Sequence, residues 1–360
     1  MREKVYLDHC ATEPVDEDVW KVIEESIRTS WYNCSSRYRE GERCKRRLED
    51  CERRVKECLG AEDYDVVFTS GSSESASMVG KISHGKGICG VWEHKCVTKN
   101  CNKKVESIEE LEKEISSGKD KFVYLMGVNN VTGERYDVGR VGGMKKRGNY
   151  LCCDGTQMLG KMFVNVSDMG VDYWWGSGHK CGCPKGIGVL LIKKDAPHGS
   201  LIKGGKQQHG LRAGTENLAF IEGFTYAIEG RNYPKYLSEF LPHAHELKTL
   251  LYQRLQNEFT NFVILSPTWS VDPIANITFE KVDGETLSLW LDSKGIMVSA
   301  GAACNGDEIG VEPTIELLHL PENYKYGSIR ISFGEENTKD DVNKLIDELK
   351  EILQKTRGFI

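Results

Sequence analysis

A lysine in a turn of small residues is the first candidate for chemistry in this sequence. Lys180 ends the tetrapeptide Ser177-Gly-His-Lys, which follows an apolar, strand-like run. Burying an ammonium group is costly unless it is compensated. One compensation is an imine with an aldehyde cofactor, as lysines form in pyridoxal 5′-phosphate (PLP) enzymes. Taken alone, the tetrapeptide also fits an ordinary surface lysine in a turn.

Other polar residues fall at further strand ends and could hold the same cofactor. Asp154 ends an apolar run, where its carboxylate could pair with a protonated pyridine nitrogen, and Gln157 could hydrogen-bond the phenolic oxygen of the ring. Ser72 and Ser73 lie in a strand-to-helix turn, where free backbone N–H groups and the helix dipole favour a phosphate. His94 ends another strand-like run and offers a flat ring for stacking.

Each of these residues also has an ordinary structural interpretation. An aspartate at a strand end is often a helix N-cap, the serine turn fits plain helix capping, and the histidine could belong to the core. The order of the candidates favours chemistry, because parallel α/β folds bind ligands at the carboxyl ends of their strands. Successive strand-like runs are followed by the serine turn, His94, Asn130, Asp154, Gln157 and Lys180.

The elements that must position these residues alternate between short apolar runs and helix-like stretches. An amphipathic helix is predicted over residues 37–59, and apolar runs lie at 65–69, 87–92, 122–128, 150–153, 171–176 and 186–192. This alternation predicts a mainly parallel sheet with helices on both faces. From about residue 242 the pattern becomes α+β, with helices at 243–259, 284–292 and 339–355 and strands at 274–279 and 328–333. We therefore predict an α/β chain with a large domain at 15–242 and a small α+β domain made of 1–14 and 243–360.

These ordered motifs resemble those of the NifS/IscS-like cysteine desulfurases, PLP-dependent enzymes of fold type I in the class V aminotransferase superfamily. The resemblance covers nearly the whole chain and implies a mainly parallel, seven-stranded sheet in the large domain. The motifs that carry it are Tyr6-Leu-Asp-His-Cys-Ala-Thr-Glu-Pro14, Asn33-Cys-Ser-Ser36, Phe68-Thr-Ser-Gly71, Glu93-His94, Asn129-Asn130, Asp154-Gly-Thr-Gln157, Ser177-Gly-His-Lys180, 204–215, Ser299-Ala-Gly-Ala-Ala-Cys304 and Ser328-Ile-Arg-Ile-Ser-Phe-Gly334.

The resemblance implies a role for each matching residue. Lys180 is expected to be the Schiff-base lysine and the base that moves the substrate's α-proton, and Cys304 the nucleophile that accepts sulfur. His94 is expected to stack on the cofactor and to move protons. Arg330 and Asn33 are expected to bind the substrate. The remaining cofactor contacts would come from Asp154, Gln157, Ser72, Ser73, Asn130, Ser177, His179 and, across a homodimer, Thr215.

The implied reaction converts L-cysteine to L-alanine and leaves its sulfur on Cys304 as a persulfide. A thiolate is the competent nucleophile, and the small residues around Cys304 suit a mobile loop that carries sulfur to an acceptor or scaffold protein. Iron–sulfur cluster assembly is favoured by its frequency in the family, with tRNA thiolation and DNA phosphorothioation as other destinations. Cys304 could also ligate an iron–sulfur cluster transiently, and no other metal ligand is expected.

The sequence departs from the family pattern and leaves two alternatives open. Val131 stands where the family usually has a glutamate, and Cys183 where a glycine is usual. One alternative is another PLP enzyme of this fold, such as a selenocysteine lyase or an aminotransferase, against which Cys304 argues. The other is a catalytically degenerate sulfur-trafficking partner, against which the retained Lys180 and Asp154 argue.

Composition excludes several other classes of protein. The 360 residues carry a net charge of −6, which gives no electrostatic basis for binding nucleic acid. No apolar run approaches the roughly 18–20 residues of a membrane-spanning helix, and no export signal is apparent, so we expect a cytoplasmic protein. Most of the 13 cysteines are expected to be reduced thiols that act as small hydrophobes, because the chain is long and shows no export signal. None of the closely spaced cysteines has the paired spacing of a structural zinc site.

Overall fold

The computed structural model describes residues 4–300 and 311–356, with side chains to residue 355. The chain divides into a large unit, Glu13–Val128 with Tyr136–Leu237, and a small unit, Met1–Thr12 with Asn129–Arg135 and Ser238–Ile360. The sequence-based boundaries had kept residues 129–135 within the large domain. Cys304 lies outside the described residues.

The elements are numbered along the described chain. The strands are β1 (Val5–Tyr6), β2 (Tyr64–Thr69), β3 (Gly87–Gly90), β4 (Lys103–Val105), β5 (Phe122–Tyr124), β6 (Tyr150–Asp154), β7 (Tyr173–Ser177), β8 (Gly188–Lys193), β9 (Phe262–Ile264), β10 (Ile274–Phe279), β11 (Ile296–Met297), β12 (Ser299–Ala300) and β13 (Ser328–Ser332). The α-helices are α1 (Glu17–Thr29), α2 (Arg39–Leu59), α3 (Ser72–Ile82), α4 (Lys95–Thr98), α5 (Ile108–Ser116), α6 (Val138–Gly143), α7 (Leu218–Arg231), α8 (Pro234–Glu258), α9 (Gly284–Ser293), α10 (Pro313–Glu316) and α11 (Lys339–Thr356).

A sheet of seven strands forms the centre of the large unit, in the order β2-β8-β7-β6-β5-β3-β4 among the described residues. Neighbouring strands run parallel from β7 to β4, whereas β8 runs antiparallel to both β7 and β2. The strands are almost continuously buried, as expected for a sheet covered on both faces. The predicted mainly parallel, seven-stranded sheet flanked by helices is confirmed.

The helix predicted over residues 37–59 is α2, which begins at Arg39. Its buried stripe recurs at three- and four-residue steps and includes Cys44, Leu48, Cys51 and Val55. This stripe faces α7, against which α1 also packs. The cysteines of α2 therefore belong to the packing of the large unit.

At the outer edge of the sheet, one side chain forms hydrogen bonds with the backbone of β2. Gln208 accepts a hydrogen bond from the Phe68 N–H through Oε1 at 2.6 Å and donates to the Phe68 carbonyl through Nε2 at 2.9 Å. This amide replaces the neighbouring strand that an edge residue lacks. It ties the segment at residues 204–215 to the strand that leads into the serine turn.

The small unit contains an antiparallel sheet in the order β12-β13-β10-β9 and a parallel pair of β1 with β11, among the described residues. The predicted strands at 274–279 and 328–333 are β10 and β13. The predicted start of the long helix at residue 243 is wrong, because α8 begins at Pro234 and continues through Pro242. A proline is well tolerated in the first turn of a helix, and the internal proline was mistaken for the boundary.

No helix within residues 4–300 and 311–356 combines the length and apolar character that a bilayer crossing requires.

Replacing Gln208 with alanine should lower the free energy of unfolding by about 1–3 kcal/mol, because the N–H and carbonyl of Phe68 would lose their partners. Urea unfolding of the cofactor-free protein measures this loss. The control is Gln253→Ala on the exposed side of α8, which should change the free energy by less than about 0.5 kcal/mol. An equally small effect of Gln208→Ala would contradict the proposed support of β2.

Candidate active site

The carboxyl ends of five strands lie along one edge of the large sheet. Strands β3, β5, β6 and β7 are parallel, and β2 shares their direction because both β2 and β7 are antiparallel to β8. Ligands of such folds bind at this edge. Eight candidate residues of the large unit lie at the ends of these strands or shortly after them: Ser72, Ser73, His94, Asp154, Gln157, Ser177, His179 and Lys180.

The turn between β2 and α3 forms a cradle lined by hydroxyl groups. Gly71 has φ +148°, where side chains are rarely tolerated, and a Cβ built on it would lie 3.3 Å from Ser177 Oγ. The Ser72 Oγ lies 2.6 Å from Thr156 Oγ1, which links this turn to the loop after β6. Ser73 is exposed in the first turn of α3. Hydroxyls and a helix N-terminus together suit a phosphate group.

Asp154 is a buried carboxylic acid at the end of β6, with 6% of its surface exposed. Its Oδ1 accepts a hydrogen bond from the Thr156 N–H at 3.0 Å, and its carbonyl accepts one from the Gly127 N–H at 2.9 Å. Gly155 leaves room for the ring of Trp174, which a Cβ at that position would overlap. Gln157 is also buried in this loop.

A second buried acid near this edge was not identified from the sequence as a site residue. Glu93 Oε1 accepts a hydrogen bond from the Met126 N–H at 2.7 Å. Burial raises the pKa of Glu93 well above its usual range, and the charge of Asp154 adds to this rise. The hydrogen bond of Glu93 joins the end of β3 to the chain beyond β5.

His94 is exposed at this edge, immediately before α4. Its Nδ1 accepts a hydrogen bond from the Cys96 N–H at 3.2 Å. Although the ring is accessible, the surrounding protein excludes part of the water, and this desolvation lowers the pKa of His94. Asp154 opposes the shift, whereas the positive charges of Lys180 and Lys95 add to it. His94 is thus a neutral imidazole at neutral pH.

Lys180 lies in a short 3₁₀ turn, Gly178–Lys180, that directly follows β7. Two contacts hold the backbone of this turn. The Glu13 N–H donates to the His179 carbonyl at 2.8 Å, and the Lys161 Nζ donates to the Lys180 carbonyl at 3.4 Å. Lys161 is itself buried, which is rare for a charged residue.

Lys161 belongs to an ionic network that supports the lysine turn. Its Nζ lies 3.7 Å from a Glu13 carboxylate oxygen, and the other oxygen of Glu13 lies 3.5 Å from the Arg231 guanidinium. Arg231 also pairs with Asp16 at 2.8 Å, and the Asp16 N–H donates to the Gly182 carbonyl at 2.9 Å. Sequence reasoning missed these residues because no local pattern links 13–16 to 161 and 231.

The neighbour of Lys180 is a neutral histidine. Desolvation lowers the pKa of His179 to about 4, and the positive charges of Lys180, Lys185 and Lys161 add to the shift. A neutral imidazole retains one N–H donor, which is sufficient for a hydrogen bond to a phosphate oxygen.

The other predicted site residues lie elsewhere in the described chain. Asn33 and Thr215 are exposed parts of the large unit. Arg330 and Asn130 belong to the small unit, where Arg330 donates to the Asn130 carbonyl and to Asp8 Oδ1, both at 2.8 Å. Arg330 is buried in β13. The structure therefore brings eight of the large-unit candidates to one edge of the sheet, leaves Asn33 and Thr215 outside that group, and holds Arg330 against Asn130.

Comparison with known proteins decides the family of the chain. A family model described as aminotransferase class-V matches residues 5–88 and 92–345. The chain belongs to the class V aminotransferase family. It is 29% identical over 385 residues to the cysteine desulfurase IscS of Dictyoglomus turgidum, an alignment that covers 99% of this chain and 96% of the relative.

Further relatives agree with this assignment. The chain is 29% identical over 379 residues to the cysteine desulfurase IscS of Methanosarcina thermophila, covering 99% of this chain and 93% of that one. A solved NifS-like protein superposes with a TM-score of 0.88 at 28% identity, covering 98% and 100% of the two chains. Two predictions are confirmed: the resemblance to NifS/IscS-like enzymes of the cysteine desulfurase type, and the fold.

Members of this family use PLP, and the residues at the sheet edge fit that cofactor. The cradle left open at Gly71 is lined by hydroxyls that suit its phosphate. Asp154 would offer a buried carboxylate to a protonated ring nitrogen, and His94 would offer a flat ring. Lys180 would offer an amine to the aldehyde. Within the described residues, no group of three or more histidine, cysteine and acidic side chains could hold a metal ion.

The neutral state of His179 predicts a pH-dependent stability in the cofactor-free protein. Its pKa is about 4 in the fold and about 6.5 in an ordinary environment, so the unfolded chain binds more protons between these values. The free energy of unfolding should therefore fall as the pH is lowered from about 6.5 to about 4. His179→Gln should reduce this fall, as measured by urea unfolding at several pH values.

The control for this experiment is His84→Gln, at an exposed histidine that follows α3. This variant should follow the wild-type pH dependence. If the free energy of unfolding falls equally in wild type and in His179→Gln between pH 6.5 and 4, the pH dependence does not arise from His179.

Proposed function

We propose that this chain is a PLP-dependent cysteine desulfurase, which converts L-cysteine to L-alanine and transfers the sulfur to Cys304. The observation that carries the proposal is the shared sheet edge, where a buried acid, a stacking ring, a phosphate cradle and Lys180 all follow parallel strands. The similarity to proteins named cysteine desulfurase supports the choice of reaction within the family.

PLP, when bound, supplies an aldehyde for amines and an electron sink that weakens bonds at the substrate's α-carbon. Asp154 is proposed to hold the proton on the pyridine nitrogen, because a carboxylate in a buried site stabilises a cation strongly. Gln157 is proposed to donate to the phenolic oxygen. The phosphate contacts proposed are Ser72, Ser73, Ser177 and His179.

Proton transfer is proposed for two side chains. Lys180 would move the α-proton of the substrate through its Nζ, while its backbone stays fixed by Glu13 and Lys161. His94 would stack on the cofactor and exchange a proton near the sulfur. Because its pKa is lowered, His94 starts as a neutral base at neutral pH.

Substrate recognition is proposed for Arg330 and Asn33, and Asn130 is proposed as a contact of the cofactor. The planar guanidinium of Arg330 matches a carboxylate, and its bonds to Asp8 and the Asn130 carbonyl fix its orientation. Asn33 accepts the Ser35 N–H through Oδ1 at 2.8 Å, which leaves its amide N–H groups as donors.

The sulfur step is proposed for Cys304 and balances without an external oxidant. The Cys304 sulfur attacks the substrate sulfur, the new S–S bond forms, and the Cβ–S bond breaks. The electron pair of that bond stays with carbon, which takes a proton and leaves as L-alanine. The substrate carbon is reduced, and the two sulfurs become the persulfide of Cys304.

The persulfide is proposed to pass to a thiol of an acceptor or scaffold protein in iron–sulfur cluster assembly. An acceptor thiolate would take the outer sulfur and release the Cys304 thiolate, so the exchange is balanced. We propose a cytoplasmic location, because this exchange requires reduced thiols.

Cys304→Ala should lower L-alanine formation from L-cysteine by at least about 100-fold, because the nucleophile for the sulfur is removed. PLP binding, measured by absorbance, should remain. Cys58→Ala, at a half-buried thiol of α2, is the matched control and should retain activity. When ³⁵S-cysteine is added to the purified wild-type protein, the label should remain on the protein. When lysate is then added, the label should appear on lysate proteins instead of on tRNA or DNA.

Unchanged alanine formation by Cys304→Ala would favour the alternative of another PLP enzyme on this fold. A wild-type protein that binds no PLP would favour a non-catalytic sulfur-trafficking partner.

A homodimer is also proposed, through an aromatic patch formed by Trp31, Tyr32 and Tyr38. Trp31 has 70% of its surface exposed, and its ring stacks on Tyr32 with centroids 4.2 Å apart. Tyr38 is exposed and meets Tyr32 edge-on. Exposed clusters of tryptophan and tyrosine are typical of protein interfaces. The patch flanks Asn33, and Thr215 would contribute to the partner's phosphate site.

Trp31→Glu should weaken the dimer by at least about 10-fold in its dissociation constant, because a charge would be buried at the interface. Sedimentation of wild type and variant measures this change. Trp290→Glu, at an exposed tryptophan of the small unit, is the control and should sediment as wild type. A monomeric wild type contradicts the dimer, and an unaffected Trp31→Glu contradicts the patch.

A further inference from the structure

A thiol lies against the imidazole of His94, and the proposed function gives it no role. The Cys96 Sγ is 3.0 Å from His94 Nδ1. The backbone N–H of Cys96 donates to the same nitrogen at 3.2 Å. One residue therefore presents two groups to one ring nitrogen.

The protonation state of this thiol determines what it can do. Burial raises the pKa of Cys96 far above its usual range, and the charges of Asp154 and Glu93 raise it further. Cys96 is therefore an S–H group at neutral pH. It can donate a hydrogen bond, whereas a nucleophile would need to be a thiolate.

The state of the ring follows from the backbone donor. The Cys96 N–H is directed at Nδ1, which must accept it through its lone pair, so Nδ1 carries no proton. In a neutral imidazole the proton then lies on Nε2. Protonation of Nδ1 would set its N–H against the backbone N–H of Cys96, which is a repulsive contact.

We propose that Cys96 is a positioning residue for His94, whose thiol donates to Nδ1, fixes the plane of the imidazole and keeps its proton on Nε2. The catalytic consequence rests on the proposed function, because it concerns the proton that His94 exchanges. The hydrogen bond itself belongs to the protein without cofactor. Serine at position 96 would preserve a donor, and alanine would remove it.

The charged groups that act on the ring are not changed by these variants. Asp154 raises the pKa of His94, and Lys180 and Lys95 lower it. Cys96→Ala and Cys96→Ser leave all three in place. A difference between the two variants therefore reports the side-chain donor at position 96.

The direct test is nuclear magnetic resonance of cofactor-free protein with ¹⁵N-labelled histidine. In wild type, His94 should show an unprotonated Nδ1 and a protonated Nε2 at neutral pH. In Cys96→Ala the pKa of His94 should rise by about 0.5–1 unit, because a hydrogen bond to the neutral ring is lost. Cys96→Ser should restore most of the wild-type value.

Cys101→Ala is the control, at a partly buried thiol that belongs to the neighbouring β3–β4 packing. It should leave the pKa of His94 unchanged. The proposal is overturned if wild-type Nδ1 carries the proton, if Cys96→Ala leaves the pKa unchanged, or if Cys101→Ala raises it equally.

Kinetics of the PLP-loaded enzyme separates this proposal from the proposed function. Cys96→Ala should lower kcat about three- to ten-fold with little change in KM, and the acid limb of its pH profile should move upward with the pKa of His94. Cys96→Ser should recover both. An unmoved profile in Cys96→Ala would overturn the role in catalysis. A wild type that forms no alanine would refute the proposed function, while the resonance result would still decide the hydrogen bond.

Discussion

The buried carboxylate of Asp154 sets the electrostatics of the sheet edge. A charge with only 6% of its residue exposed is expensive unless a cation or hydrogen-bond donors face it. The Thr156 N–H supplies one donor. The same carboxylate helps to raise the pKa of Glu93 and opposes the lowering of the pKa of His94. A protonated pyridine nitrogen would complete the compensation, which is why the site suits an aromatic cation.

Much of the fold could be predicted from local patterns. The stripe of α2 and the buried runs of β6, β8, β10 and β13 were identified by period and length, since their burial is encoded in consecutive residues. The start of α8 was not, because Pro242 gives a local helix-breaking signal that the fold overrides. The grouping of 129–135 with the small unit depends on contacts distant in sequence.

Some residues of the candidate site were also predictable from local sequence, and others were not. Short motifs identified Asp154 and Lys180, because strand ends and turns place such residues by local geometry. The supporting groups were missed, since Lys161 reaches the Lys180 carbonyl across the fold and its partner Glu13 is far away in sequence. Cys96 was counted among the ordinary core thiols, because its position 3.0 Å from a ring nitrogen depends on the folded turn after β3.

Lys180, in the turn after β7, is proposed to be the amine that captures the aldehyde of PLP. Borohydride reduction of the PLP-loaded protein, followed by peptide mass mapping, identifies the lysine that carries the cofactor. We expect a phosphopyridoxyl group on Lys180, none on the buried Lys161, and loss of the adduct in Lys180→Ala. An adduct on Lys161, or on no lysine at all, would refute this role of Lys180.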